Sequence, residues 1–255
     1  MTYSEIEKDI NPQKEVDEIK IEELFWDSNE FGYPISKIEI DTEDDKESIS
    51  DAIRRAKDTD VKLLYIFADR DKRLHDQLED KGALLVDEKT RYLRSLTPTK
   101  MHDANLVSKS MIGTPLDQRT LDLAYQAGAY SRFKMDPNLN KGEFEKLYKL
   151  WIERSLNGEI AFDVLGYQQG NELVGILTLG DKNGRADIGL VAVETRCRGI
   201  GIGRDLMLSA IYAASEKGFS EIQVVTQLAN VAACNYYSKS GFVIEDIKNI
   251  YHLWF

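Results

Sequence analysis

Residues 194–206 read ETRCRGIGIGRDL, with glycine at 199, 201 and 203. The strand-like run ADIGLVAV precedes them, and the amphipathic pattern GRDLMLSAIYAASEKG follows, with Leu206, Met207, Ala210, Ile211 and Ala214 on its apolar face. A strand, then bare backbone at alternate positions, then a helix is an arrangement few folds use. A flexible connector rarely leads straight into a strong helix. Glycine lets backbone N–H groups approach an anion closely, and a helix N-terminus adds unpaired donors and the positive end of the dipole. Arg196, Arg198 and Arg204 bring positive charge to the same loop. The G-x-G-x-G spacing is not the G-x-G-x-x-G of a dinucleotide fold, and the next strand ends in TQLAN rather than in an acidic residue. Arg204 and Asp205 stand where a P-loop needs Lys followed by Ser or Thr. The remaining reading is a cradle for a pyrophosphate.

The rest of the chain reads as α/β in two halves. From Ile21 a β-α-β-α-β order holds: FGYPISKIEI, DKESISDAIRRAKD, VKLLYIFA, RDKRLHDQLEDKG and ALLVDEKTRYLRSL. Residues 1–20 are charged and patternless and read as a poorly ordered segment, 21–97 as a smaller α/β domain, 98–114 as a polar, proline-containing linker and 115–255 as a second domain. The second domain opens with two helical patterns, LDQRTLDLAYQAGAYSRF and KGEFEKLYKLWIERSLNG, and continues β-β-β-α-β-α-β. The turn signals Gln169-Gly170-Asn171 and Asn183-Gly184 separate its first three strands. Segments 81–96 and 240–255 align without a gap, Gly82 on Gly241 and Tyr92 on Tyr251, which suggests that the first half is a degenerate copy of the second.

Bulk properties narrow the function. A net charge of −11 is a poor match for nucleic acid or an anionic membrane surface, and no apolar run reaches the length of a membrane span. The polar, acidic start is unlike a signal peptide, and Cys197 and Cys234 form no disulfide framework or metal-ligand spacing, so a reducing, cytoplasmic setting and no metal are expected. His75, His102 and His252 have no partner spacing and receive no role.

R-C-R-G-I-G, 196–201, resembles the Q/R-x-x-G-x-G/A motif of the GNAT acetyltransferase family, and NVAACNYYSKSGF, 230–242, is similar to that family's N-x-x-A-x-x-x-Y-x-x-x-G-F at Asn230, Ala233, Tyr237, Gly241 and Phe242. The resemblance covers about residues 115–255. It implies a mixed central sheet flanked by helices, with 21–97 a degenerate GNAT-like half, and acetyl-CoA as co-substrate. It further implies that Leu190, Val191, Ala192 and Val193 pair with the pantetheine arm and that amides of Arg198, Gly199, Ile200, Gly201 and Gly203 hold the pyrophosphate. Asn230 and Ala233 would touch the lower arm, and Tyr237 would be the general acid. A tyrosine near its ordinary pKa of about 10 is a usable donor to a departing thiolate, and a strand amide can hold the oxyanion. Glu194 and Asp187 are the carboxylates beside the central strand, with Glu194 taken as the candidate base. Tyr236 reads as a core aromatic.

Three segments carry a narrower likeness within that family. LFWDSNEFGYPISKIEI, AYSRFKMDP and TQLANVAACNYYSKSGF resemble the dTDP-fucosamine acetyltransferases, which acetylate the 4-amino group of a TDP-linked 4-amino-4,6-dideoxygalactose. The final strand departs, ending in YHLWF. The likeness implies an acceptor groove at Ser131-Arg132-Phe133, with Arg132 on a phosphate. Trp151 reads as core packing, and Trp26 and Phe31 as a seal between the halves. Two other readings stay open. A GNAT enzyme could act on a peptide N-terminus, a polyamine or an aminoglycoside, cationic acceptors that an acidic protein attracts. A non-catalytic coenzyme A-binding module is the other, although Tyr237 in register argues for turnover. A monomer and a homodimer are both compatible with the sequence.

Overall fold

The computed structural model describes residues 18–96 and 108–255. Most of the N-terminal segment and of the linker expected from the sequence therefore lies outside the described residues. In chain order the elements are β1 (Glu22–Glu23), α1 (Phe25–Phe31), β2 (Ile35–Ile40), α2 (Lys46–Lys57), β3 (Leu63–Asp69), α3 (Lys72–Glu79), β4 (Leu84–Ser95), β5 (Lys109–Ser110), α4 (Gln118–Ala127), α5 (Arg132–Met135), α6 (Glu143–Leu156), β6 (Asp163–Gln169), β7 (Glu172–Lys182), β8 (Arg185–Val193), α7 (Ile202–Glu216), β9 (Glu221–Gln227), α8 (Val231–Lys239) and β10 (Val243–Trp254). No helix among them is long and apolar enough to cross a membrane.

Local chemistry accounts for most boundaries. Asp45, Asp71, Asp117 and Asn230 cap α2, α3, α4 and α8, each side chain accepting an N–H of the first turn. Asn183 and Gly184 both take positive φ, as a tight hairpin with that pair requires. One long helical pattern breaks: after Ala127 a Cβ on Gly128 would fall 2.3 Å from the Tyr148 ring, and the chain resumes as the short α5.

The ten strands form one mixed sheet in the order β1-β2-β3-β10-β4-β9-β8-β7-β6-β5. The boundary between the two halves does not follow the chain. β10, from the second half, runs antiparallel between β3 and β4, and β4, from the first half, lies antiparallel between β10 and β9. The two similar segments are thus neighbours. Lys89 stands opposite Lys248, the residue it aligns with, so β4 and β10 are related by a local two-fold.

Three main cores follow. Helices α2 and α3 bury Ile49, Ile53, Leu74 and Leu78 against Ile38, Leu64, Ile66 and, from β10, Tyr251 and Leu253. Helix α7 buries Ile202, Leu206, Met207 and Ala210 against Leu177, Ile188 and Val224, with Tyr92 of β4 in the same cluster. Helices α4 and α6 pack Leu123, Leu147 and Ile152 on Val164, Ile176, Leu190 and Ala192. Two of these cores contain side chains from both halves. The chain is therefore expected to unfold in one cooperative calorimetric transition, and Tyr251→Ala, which empties a fully buried site, is expected to lower it by about 3–5 kcal/mol without splitting it. Two separated transitions would contradict the interlocked arrangement.

Candidate active site

Strands β8 and β9 pair in parallel only at Ala186–Ile222, Asp187–Gln223 and Ile188–Val224. Beyond Ile188 they part, and a cleft of about 950 Å³ opens along the free side of β8. A register shift between Leu177 and Leu179 places a bulge at Gly189–Leu190. The bulge changes which face the strand buries: Ile188 packs with the α7 core, Leu190 and Ala192 with the α4–α6 core. The Leu190 N–H donates to Thr178 Oγ1 at 2.8 Å and the Glu194 N–H to Val174 O at 2.8 Å, both on the β7 side. Strand alternation then turns the Val191 and Val193 amides into the cleft. Gly189 has no room for a side chain, since a Cβ would meet Thr178 Oγ1 at 2.9 Å and Trp151 Nε1 at 3.3 Å.

The glycine loop closes one end of the cleft, and its three glycines are needed for different reasons. Gly199 and Gly201 have φ of +80° and +101°, in the region L side chains avoid. Gly203 is helical, but a Cβ there would sit 3.3 Å from the Tyr236 ring. No side chain caps α7 at Gly201, so its first-turn N–H groups are open to an anion. Arg198 lines the cleft, donating from Nε to Val193 O at 2.9 Å and from Nη2 to Gln126 Oε1 at 3.1 Å. Asn230 and Ala233 line it too, with Asn230 Oδ1 accepting the Ala233 N–H at 3.2 Å.

Tyr237 is 3% exposed and borders the cleft among the rings of Tyr92, Tyr236 and Phe242. Burial holds its hydroxyl well above the usual phenol range, so it stays protonated at neutral pH. Tyr236 is more than a core aromatic: its hydroxyl donates to Gly203 O at 2.7 Å and ties α8 to the start of α7.

Other expected residues sit elsewhere. Glu194 is engaged by Arg119 at 3.0 Å, accepts the Thr195 N–H at 3.1 Å, and is not among the residues lining the cleft. Arg196 pairs with Glu172, and Arg204 with Asp205 at 3.4 Å; neither is among the residues lining the cleft, nor is the exposed Ile200. Asp187 lines the cleft but accepts from Gln223 Nε2 at 2.8 Å.

The other end of the cleft draws on both halves. Ser131, Arg132 and Phe133 line it together with Phe67 of β3, Asp87 and Lys89 of β4, Tyr148, Trp151 and Lys182. Trp151 packs against the α4–α6 core, as expected, and also lines the cleft, where its ring adjoins Gly189. The Arg132 guanidinium lies over the rings of Phe133, Tyr65 and Phe67 at 4.5, 4.8 and 5.8 Å. Lys89 Nζ lies 5.3 Å from the Phe67 ring. Burial, and then the charges of Lys182, Arg132 and Arg91, push the Lys89 ammonium down to about 8. Neither Arg132, Lys89 nor Lys182 has a carboxylate within salt-bridge distance among the described residues. The turn that carries Arg132 is pinned by Asp136, whose Oδ2 accepts from His252 Nδ1 at 2.6 Å and Trp254 Nε1 at 3.0 Å. Phe31 stacks on Phe133 at 5.8 Å, at the seam between the halves.

The loop geometry makes a direct test. Valine at position 201 would have to adopt φ near +101° or bend the loop. Gly201→Val is expected to raise the dissociation constant for acetyl-CoA at least about tenfold, or ~1.4 kcal/mol, with an unchanged circular dichroism spectrum. Native affinity in calorimetry would take the loop out of the cofactor site.

Residues 129–242 match the profile described as the Acetyltransferase (GNAT) family. The spore coat polysaccharide biosynthesis protein SpsD of Bacillus subtilis is 27% identical over 133 residues, 52% of this chain and 46% of that protein. The dTDP-fucosamine acetyltransferase of Escherichia coli is 32% identical over 125 residues, 48% of this chain and 53% of the enzyme. The chain thus spans about half the length of these curated relatives. In fold alone, a conserved protein of unknown function from Staphylococcus epidermidis superposes with a TM-score of 0.61 at 11% identity, over 89% of this chain and 87% of its own. With the parted strands, the glycine loop and the matched span all falling together, residues 129–242 are a domain of the GNAT acetyltransferase family.

Proposed function

We propose that the protein is an N-acetyltransferase that moves the acetyl group of acetyl-CoA onto the amino group of a nucleotide-linked amino sugar of the TDP-4-amino-4,6-dideoxyhexose kind. The observation that carries this reading is the two-ended cleft, with a backbone cradle for a pyrophosphate at one end and unpaired cations over aromatic rings at the other. The names of two of the curated relatives, one a dTDP-fucosamine acetyltransferase and one a polysaccharide biosynthesis protein, support this reading. A polyamine or aminoglycoside fits less well. The net charge of −11 would draw such acceptors to the surface, but Lys89, Arg132 and Lys182 repel them where the cleft receives them.

Acetyl-CoA supplies an activated thioester. The uncapped amides at the start of α7 take its pyrophosphate, and the Val191 and Val193 amides are the donors available to its arm and to the carbonyl oxygen as charge develops. Tyr237 gives its proton to the departing sulfur. Arg132 and Lys89 hold a phosphate of the acceptor, and the Phe67 and Phe133 faces cover its base or sugar.

Tyr237→Phe keeps the ring and the packing. Its turnover number is expected to fall ~10²-fold or more with acetyl-CoA affinity unchanged, whereas Tyr236→Phe, which frees Gly203 O, is expected to weaken acetyl-CoA binding instead. Identical behaviour of the two variants would remove Tyr237 as the acid. For the acceptor, Arg132→Ala is expected to raise the Michaelis constant for a TDP-linked amino sugar by ~10-fold or more, the loss of one charge-assisted contact, and to leave that for acetyl-CoA alone. Equal turnover of the free sugar and its TDP-linked form by the wild type would refute the nucleotide-sugar assignment.

A further inference from the structure

We infer that Asp87, contributed by the half of the chain without the glycine loop, takes the proton from the acceptor amine. The inference rests on the acetyl-transfer reading above. Asp87 and Lys89 alternate on β4 and so share a face, and both line the cleft. Asp87 is 8% exposed, and its Oδ1 has no hydrogen-bond partner among the described residues. A buried carboxylate oxygen without a donor is costly, and a residue that also lines a cleft is placed where a ligand's N–H can meet its carboxylate. The other two carboxylates beside the central strand are already engaged, Glu194 by Arg119 and Asp187 by Gln223.

The surroundings suit proton transfer near neutrality. Burial raises the Asp87 carboxyl to about 7, against the lowering effects of Arg132, Gln227 and Lys89, with Glu88 adding to the rise. Tyr148 of α6 also feels the Asp87 charge. A base works best with a pKa close to the working pH.

The acceptor arrives as an ammonium and pairs with the Asp87 carboxylate. One proton passes from nitrogen to the Asp87 carboxylate, and the freed lone pair forms the N–C bond to the acetyl carbon. The C–S bond then breaks, sulfur takes the Tyr237 proton, and the second proton leaving nitrogen restores Tyr237. Asp87 gives its proton to water when the amide leaves. Two protons leave nitrogen, one ending on sulfur and one in solvent.

The test is the pH dependence of Asp87→Asn and Asp87→Glu beside the wild type, on whichever amine the wild type acetylates. The wild-type kcat/KM should rise with pH through a midpoint of about 7. Asp87→Asn should lose ~10²–10⁴-fold together with that limb and keep its acetyl-CoA affinity, while Asp87→Glu should retain the limb. A merely structural role would lower the rate equally at every pH and leave the limb in place, which would overturn the assignment. Infrared difference spectra, wild type minus Asp87→Asn, should show a protonated carboxyl that titrates about 7 without any substrate. A carboxyl that titrates in the ordinary range near 4 would equally overturn the assignment. Wild-type inactivity on every amine would instead refute the acetyl-transfer reading and Asp87's part in it.

Discussion

Two parallel strands that pair at three positions and then part leave a run of backbone donors with no partner among the described residues. Unpaired strand edges ordinarily invite another strand or water. Here the open side of β8 is roofed by α4, α5 and α6 and ended by the glycine loop, so the vacancy has the length and polarity of an extended ligand rather than of a strand. The bulge at Gly189 makes this possible. It shifts the buried side chains from the α7 core to the α6 core within one residue, and it requires a glycine because Thr178 and Trp151 fill the adjoining space. The cradle, the position of Tyr237 and the role of α6 all follow from that separation.

The second organising force is the placement of charge. A chain with eleven excess negative charges concentrates Arg132, Lys89 and Lys182 at one end of its cleft, with no carboxylate within salt-bridge distance of them among the described residues. Arg132 is stacked on three rings instead, which keeps its nitrogens free to donate within the ring plane. Holding a cation this way is less costly than burying it bare, and it leaves the site attractive to an anion. Asp136 fixes the turn through two donors from β10, a tie made by a carboxylate that those hydrogen bonds and His252 hold below its usual range despite its burial.

Local features of the site were legible in the sequence. The glycine spacing, the Asn183-Gly184 turn, the capped helices and the Asn230–Phe242 pattern each depend on neighbours in the chain, and each element forms within a few residues of where its pattern places it. What escaped depends on pairing between distant residues. His252 and Trp254 looked like a departure at the last strand, yet both exist to hold Asp136. Glu194 looked free because nothing in its own segment announces Arg119. Phe67, Asp87 and Lys89 lie in the half without a recognisable motif, and only the strand order β3-β10-β4-β9 brings them to the cleft. The similarity of 81–96 to 240–255 was the one available signal of that insertion, and it suggested duplication rather than exchange.

The exchange also bears on how the protein is made. β3 and β4 are synthesised early, but the strand that separates them comes much later: Asp69 meets Lys248 across 179 residues. Until then both present unpaired edges, and β3 is an almost wholly apolar run. Long-range pairing of this kind slows folding and prolongs the exposure of edges to other nascent chains. The β4 flank of the gap carries Lys89 and the acidic side chains Asp87 and Glu88, charges of the sort that deter intermolecular strand addition. The same lysine that lines the cleft of the folded protein thus stands guard, during synthesis, on an edge waiting for its last strand.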